Sequence, residues 1–330
     1  MQYKSPAAFF ACLFLLYSIC LDAQVIKPPR FDFSAAPASA KLFGEGIVST
    51  GLYERDMAIS PDGKELFYTI VSPLNVFSAI IYMQKDTKGN WSKQEVAPFS
   101  GEYSDMEPAF TADGKKLFFV SNRPLSGDSA KDFDIWYVEK LHGKWGHPVN
   151  IGKPVNTAAN EFYPSIANNG SLYFTAAYDR GKGKEDIYMA KWENGKYMEP
   201  VSLDTAVNSS FYEFNAFVSP DEQFIIFTSF GRNDDKGGGD LYISLKGADG
   251  NWRPAKNLSL INSGRMDYCP FASFDKKILF FSSERNSLKE TYKGNPAKYK
   301  TLVNQRNAVL NGQSNIYWIR LDKVLESVNF

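Results

Sequence analysis

The feature that most constrains this chain is a pattern that returns five times along its 330 residues. A short apolar strand ends at Ser60, Thr111, Ala167, Ser219 and Ser273, at spacings of 51, 56, 52 and 54 residues. A period of that size means an array of supersecondary units, none of which can bury its apolar face alone. Each strand end leads into a turn: Ser60-Pro61-Asp62-Gly63, Thr111-Ala112-Asp113-Gly114, Ala167-Asn168-Asn169-Gly170, Ser219-Pro220-Asp221-Glu222 and Ser273-Phe274-Asp275-Lys276. Asp or Asn at the third place can fold its side chain onto nearby backbone N–H groups, which is hairpin chemistry. The second strands that follow, such as Leu66-Phe67-Tyr68-Thr69 and Leu117-Phe118-Phe119-Val120, are nearly continuous apolar runs. Strands buried on both faces read this way. Third strands begin at Ile80, Ile135, Ile187, Leu241 and Ile316, and in the first four repeats Trp91, Trp145, Tyr197 or Trp252 opens a fourth.

Four strands per repeat make a propeller blade, so the expected fold is all-β: a single five-bladed β-propeller of four-stranded blades over residues 41–330. The fifth repeat stops after its third strand, while Leu42 to Val48 precedes the first repeat as a stray fourth strand. That N-terminal strand is expected to complete the last blade, because closing the ring removes the open sheet edges.

Charge and composition then narrow the function. Lys and Arg number 37 and so do Asp and Glu, so no long-range field draws the chain onto nucleic acid or anionic lipid. Only His142 and His147 occur, which leaves little room for histidine-based nucleophilic triads or His-rich metal sites. Neither a cofactor nor a metal is expected. Lys4 precedes an apolar run from Ala7 to Ile19 and then Leu21-Asp22-Ala23, which reads as a signal peptide over 1–23. A lipidated Cys20 is the alternative, opposed by bulky Ile19 where such signals want a small residue. Cleavage would leave no membrane span and Cys269 as the one remaining cysteine, so no internal disulfide. Residues 24–40, with Pro28, Pro29 and Pro37, read as a flexible leader. The expected product is a monomer in the periplasm or on the cell surface.

Repeats built like Glu161-Phe162-Tyr163-Pro164-Ser165-Ile166, a Ser-Pro-Asp-Gly turn, an aromatic strand and Asp186-Ile187-Tyr188 resemble the WD40-like propeller repeats of TolB-like proteins. Val155-Asn156-Thr157 and Val207-Asn208-Ser209 are similar to the variant found in envelope proteins of Bacteroidetes-type bacteria. The resemblance covers roughly residues 42–322 and implies the propeller fold and a non-catalytic envelope role.

Six residues before each first-strand end stand Glu54, Asp105, Glu161, Glu213 and Asp267, expected as a structural ring of acids around one mouth of the central channel. Ser49, Ser100, Asn156, Asn208 and Asn262 precede them by five. Arg123, Arg180, Arg232 and Arg285 end the second strands, and hairpin geometry places them on the same face as structural counter-charges, with Asp134, Asp186, Asp240 and Asn315. A residue repeated in every blade serves the blade; positions that break the repeat are the informative ones. These are Asp56, Glu107, Tyr163, Asn215 and Cys269, and the preceding Arg55, Met106, Phe162, Phe214 and Tyr268. Asp56, Glu107, Arg55, Tyr163, Tyr268 and Asn215 are therefore the candidate ligand- or partner-binding residues.

One insertion, 284–314 in the fifth repeat, carries net positive charge and a helical stretch from Ala297 to Leu310 on that same face, with Tyr299, Leu302 or Val303 on its apolar stripe. Together these point to a binding or scaffolding propeller whose partner is a protein or a polysaccharide. The alternative is a glycan-active hydrolase, sialidase-like or five-bladed glycosidase-like, using carboxylates at the channel mouth.

Overall fold

The computed structural model describes residues 28–328, so the signal sequence expected over 1–23 and Cys20 lie outside the described residues. The repeats form five antiparallel blades. Their first strands, Tyr53–Ile59, Asp105–Phe110, Glu161–Ile166, Tyr212–Val218 and Asp267–Ala272, each lie against the next, and the last lies against the first. This is a closed ring around a central channel. Second strands (Glu65–Val71, Lys116–Ser121, Leu172–Ala176, Phe224–Phe230, Ile278–Ser283) carry most of the core. Leu66, Phe67, Phe119, Phe174, Ile226, Phe227 and Phe280 are fully buried. Third strands are Ser78–Gln84, Asp134–Leu141, Asp186–Ala190, Asp240–Leu245 and Asn315–Arg320.

The fourth strands are only two residues long, Glu95–Val96, Val149–Asn150, Val201–Ser202 and Lys256–Asn257. The aromatic residues expected to open them instead extend the outer end of the third strand. Trp91 bridges Lys85, Trp145 pairs with Lys140 and Trp252 bridges Lys246. In the third blade Tyr197 closes a small hairpin against Trp192.

The ring closes as the sequence requires, with Lys41 opposite Trp318 and Leu42 opposite Tyr317, and the Phe43 N–H donating to Ile316 O at 2.8 Å. The closing strand is shorter than 42–48 and begins one residue earlier, at Lys41. Gly44, at φ 57°, turns the chain so that the Val48 N–H donates to Gly44 O at 2.8 Å. That turn delivers Ser49 to the third strand of the last blade. Its hydroxyl donates to Ile316 O at 2.9 Å and accepts from Ile316 N at 3.2 Å. Ser100, Asn156, Asn208 and Asn262 clip Ile80, Ile135, Ile187 and Leu241 in the same way. The asparagines, with donor and acceptor on one amide, bond both N–H and C=O of the clipped residue.

The described part of the segment expected as a flexible leader is tied to the propeller from Pro29, whose O accepts from Trp91 N at 3.0 Å. Phe31 and Phe33 lie against Phe43 and Trp91, and Phe33 also meets Phe280. The Arg320 N–H donates to Pro37 O at 2.8 Å. Among the described residues two α-helices stand outside the blades: α1, Tyr299–Asn307, within the insertion, and α2, Leu321–Ser327, which buries Leu321 and Val324. Helix α1 has no buried residue, and its apolar stripe points outward. Among the described residues no helix is long and apolar enough to cross a membrane.

Candidate functional site

Each first strand contains a bulge, and the bulged residue always lies three residues before the strand's last residue. Asp56, Glu107, Tyr163, Asn215 and Cys269 all have positive φ, between 49° and 61°. Pairing with the second strand slips just there, between Arg55 and Ala58 and at the equivalent place in every blade. A non-glycine residue in this region costs about 1–2 kcal/mol, so the surrounding structure must hold it. In four of the blades it does so through the bulged N–H. Asp56 donates to Ser282 Oγ, Glu107 to Thr69 Oγ1 and Asn215 to Thr175 Oγ1, at 3.1–3.3 Å, each acceptor lying on the second strand of the preceding blade. The third blade lacks this acceptor because Val120 occupies the place of the hydroxyl. There the Glu107 carboxylate takes over, accepting from Tyr163 N at 2.6 Å.

The bulges carry the repeat-breaking side chains onto the axis. Arg55 Nε lies 2.7 Å from Asp56 Oδ1, and its Nη2 lies 2.7 Å from Glu107 Oε1 and 3.3 Å from Cys269 Sγ. Asn215 Nδ2 donates to the same Glu107 oxygen at 3.3 Å, and the Cys269 thiol donates to Asn215 Oδ1 at 3.5 Å. Tyr163 OH donates to Pro270 O at 3.0 Å. The Arg55 guanidinium stands 5.2 Å from the Tyr268 ring centroid, and Tyr268 OH continues through Tyr53 OH to Glu284. All six candidate binding residues, drawn from all five blades, thus belong to one cluster. Cys269, the fifth of the repeat-breaking positions, joins it.

The cluster closes the channel. Asp56 is 1% exposed and Glu107 3%, whereas Arg55 keeps 17%. Two carboxylates share one guanidinium, and Asp56 Oδ2 has no hydrogen-bond partner. Burial pushes the Glu107 carboxyl up against the pull of Arg55, and the neighbouring Asp56 charge adds to the rise. Burial likewise raises the Cys269 thiol, so it stays protonated and serves as a donor.

Above the cluster, on the face where the first strands begin, the channel widens into a bowl of about 310 Å³. Arg55 and Glu107 lie at its floor, and Met106, Phe162, Phe214, Phe133, Met266 and Tyr268 form its walls. Glu185, raised by burial, also lines it. Below the cluster only about 30 Å³ remains, among Pro108, Pro164, Pro270 and Phe274.

The repeated acids sit elsewhere. Glu54, Asp105, Glu161, Glu213 and Asp267 are completely buried. In four blades the acid is held by a hydroxyl of the loop entering that blade, from Thr50, Thr157, Ser209 or Ser263. Gly101 offers none to Asp105. Arg123, Arg232 and Arg285 reach Asp105, Glu213 and Asp267 at 2.7, 3.0 and 2.7 Å. Arg180 does not reach Glu161; it pairs with Glu199 at 2.8 Å, and Tyr178 OH bonds Glu161 at 2.7 Å instead. Glu54 takes Asn315 Nδ2 at 3.0 Å. The Asp residues opening the third strands cap local loops. Asp186, for example, accepts from Gly183 N at 2.8 Å and from Ser202 Oγ at 2.7 Å.

No family model matches the chain, and no curated protein matches it. The solved structures similar to it include a TolB. The TolB of Acinetobacter baumannii is 14% identical over 81% of this chain and 54% of its own, with a TM-score of 0.46. The catalytic domain of the Coprinopsis cinerea GH62 α-L-arabinofuranosidase is 10% identical over 89% of this chain and 94% of its own, with a TM-score of 0.48. The endo-arabinase of Bacteroides thetaiotaomicron VPI-5482 is 16% identical over 76% and 99%, with a TM-score of 0.46. These are likenesses of fold.

Proposed function

We propose that this chain is a non-catalytic binding propeller of the cell envelope, and that its partner, a protein or a glycan, seats in the bowl over Arg55 and Glu107. One observation carries the reading: Asp56 and Glu107 are engaged with Arg55 while Met106, Phe133, Phe162, Phe214, Met266 and Tyr268 wall the bowl. Such walls with a few polar groups at the floor suit recognition. Glycoside hydrolysis asks for two carboxyl groups facing the sugar, one giving a proton and one staying ionised. Here Asp56 does not line the bowl, Asp56 and Glu107 both meet one guanidinium, and Glu185 is the one bowl carboxyl outside that cluster. The apolar stretch from Ala7 to Ile19 supports export to the envelope.

The test is binding of the purified protein to a panel of envelope polysaccharides and envelope proteins, repeated with Phe162→Ala Phe214→Ala. Binding that falls tenfold or more in the variant, at a preserved fold, is the expected result, on the scale of lost interface aromatics. Turnover of aryl-glycosides that disappears in Glu107→Gln would establish the hydrolase reading in its place.

A further inference from the structure

The equal numbers of acids and bases conceal a local imbalance. Between Asn286 and Gln313 stand Lys289, Lys293, Lys298, Lys300 and Arg306 against Glu290 alone, a net charge of +4. None of these six takes part in an ion pair among the described residues. Helix α1 lies within this stretch, and Tyr299 and Leu302 on it are 84% and 50% exposed. A short helix that packs on a propeller turns its apolar side chains inward; this one turns them out, among lysines. The helix is nonetheless anchored. Asn311 Nδ2 bonds Gly51 O at 2.9 Å and Arg306 O at 2.8 Å, which fixes its C-terminal end on the loop that enters the first blade.

The first blade adds a second protrusion at the same end of the molecule. Its link between second and third strands, Ser72 to Phe77, is uncharged, and Leu74 and Val76 are 94% and 76% exposed at its tip. Leu74 and Asn75 both have positive φ, 64° and 55°. A leucine in that conformation is strained, and a leucine so exposed gains nothing from burial, so neither backbone nor core accounts for it. The first and fifth blades are neighbours through the ring closure, so an apolar tip and a basic helix with apolar side chains, both in links from second to third strand, belong to adjacent blades on one rim.

We infer that this rim docks on an anionic lipid surface, with Leu74, Val76, Tyr299 and Leu302 entering the headgroup boundary and the lysines of the insertion meeting lipid phosphates. The chemistry is that of peripheral membrane contact, in which exposed apolar tips and basic side chains act together. An acidic protein or polysaccharide in water would satisfy the lysines but would leave Leu74 without a role. The inference is independent of what occupies the bowl.

The test is co-sedimentation of the mature chain with phosphatidylglycerol-containing vesicles and with pure phosphatidylcholine vesicles. Binding is expected to the anionic vesicles and to weaken with salt. Each lysine near the surface is worth about a fivefold change, so Lys298→Glu Lys300→Glu lowers partition at least about 25-fold. Leu74→Asp lowers it as well. Both sites are at the surface, so unchanged thermal melting keeps loss of binding distinct from loss of fold. Partition onto neither vesicle, or equally onto both, overturns the inference. Binding that follows the lysines but ignores Leu74→Asp overturns the lipid assignment in favour of an acidic macromolecule.

Discussion

Arg55 is the residue on which the axis depends, since it alone neutralises two buried carboxylates. Replacing it with Met would strand Asp56 and Glu107 together in a low-dielectric site. The expected cost is about 3–5 kcal/mol, the scale of a buried pair broken from one side, read as a lower urea midpoint. Glu161 shows the opposite situation, an acid with hydrogen-bond donors but no cation. Burial raises its carboxyl to about 7 although Thr157 and Tyr178 donate to it. In the unfolded chain the group titrates near about 4.3, so the native state holds the proton more tightly. Its contribution to stability is therefore full below about pH 4 and lost as pH rises through about 7, on the order of 3 kcal/mol in all. Glu161→Gln should flatten this fall, so that the variant gains on the parent between about pH 5 and about pH 8 in urea titrations. Glu213→Gln should instead cost about 1–3 kcal/mol, because Arg232 and Ser209 lose the carboxylate they share.

At the scale of the element, the two-residue fourth strands are too short to hold a blade edge by ladder bonds alone. The Ser or Asn that follows each of them fixes the outer edge to the third strand, and in the last blade Ser49 does so from the other end of the chain. Ser49→Ala should cost about 1 kcal/mol, which in a domain of this size lowers the melting temperature by about 2–4 °C. Asn262→Ala should cost more, since its amide bonds both N–H and C=O of Leu241 at 2.9 Å and also donates to Asn257 Oδ1 at 2.9 Å. Removing residues 28–49 would take away the closing strand, Phe31, Phe33 and Phe43 together, leaving Asn315–Arg320 as an open edge. A marked fall in melting temperature is expected, and an unchanged melt would refute closure as a source of stability.

For the whole molecule, the ring is a near-symmetric frame with its chemistry placed where the symmetry fails. The place of Thr69, Thr175 and Ser282 is taken by Val120 in one blade, and Glu107 supplies the missing acceptor from the channel. One carboxylate therefore joins the frame to the axial cluster. Glu107→Met should leave the buried Tyr163 N–H without an acceptor, at about 1–3 kcal/mol. Val120→Thr should return about 1 kcal/mol of that in the double variant while doing little alone. A double-mutant cycle measures this coupling, and additive effects would contradict it.

The repeat by itself determined the blade count, the strand order and the N-terminal closure, because period, turn chemistry and apolar runs are local properties that reinforce one another five times. It also marked Arg55, Asp56, Glu107, Tyr163, Asn215 and Tyr268 as the places where the pattern breaks. The hydroxyls that hold three of the bulges, Thr69, Thr175 and Ser282, were equally visible as the last residue of their apolar runs. The bulges were not, because the residues at positive φ are Asp, Glu, Tyr, Asn and Cys, with no glycine to announce them. Whether Arg180 would meet Glu161, whether the leader would pack and which way helix α1 would turn its apolar side were also open. Each depends on which groups from distant parts of the chain arrive within bonding distance. Sequence spacing sets the order of those groups around the ring, and only the closed ring sets their separation.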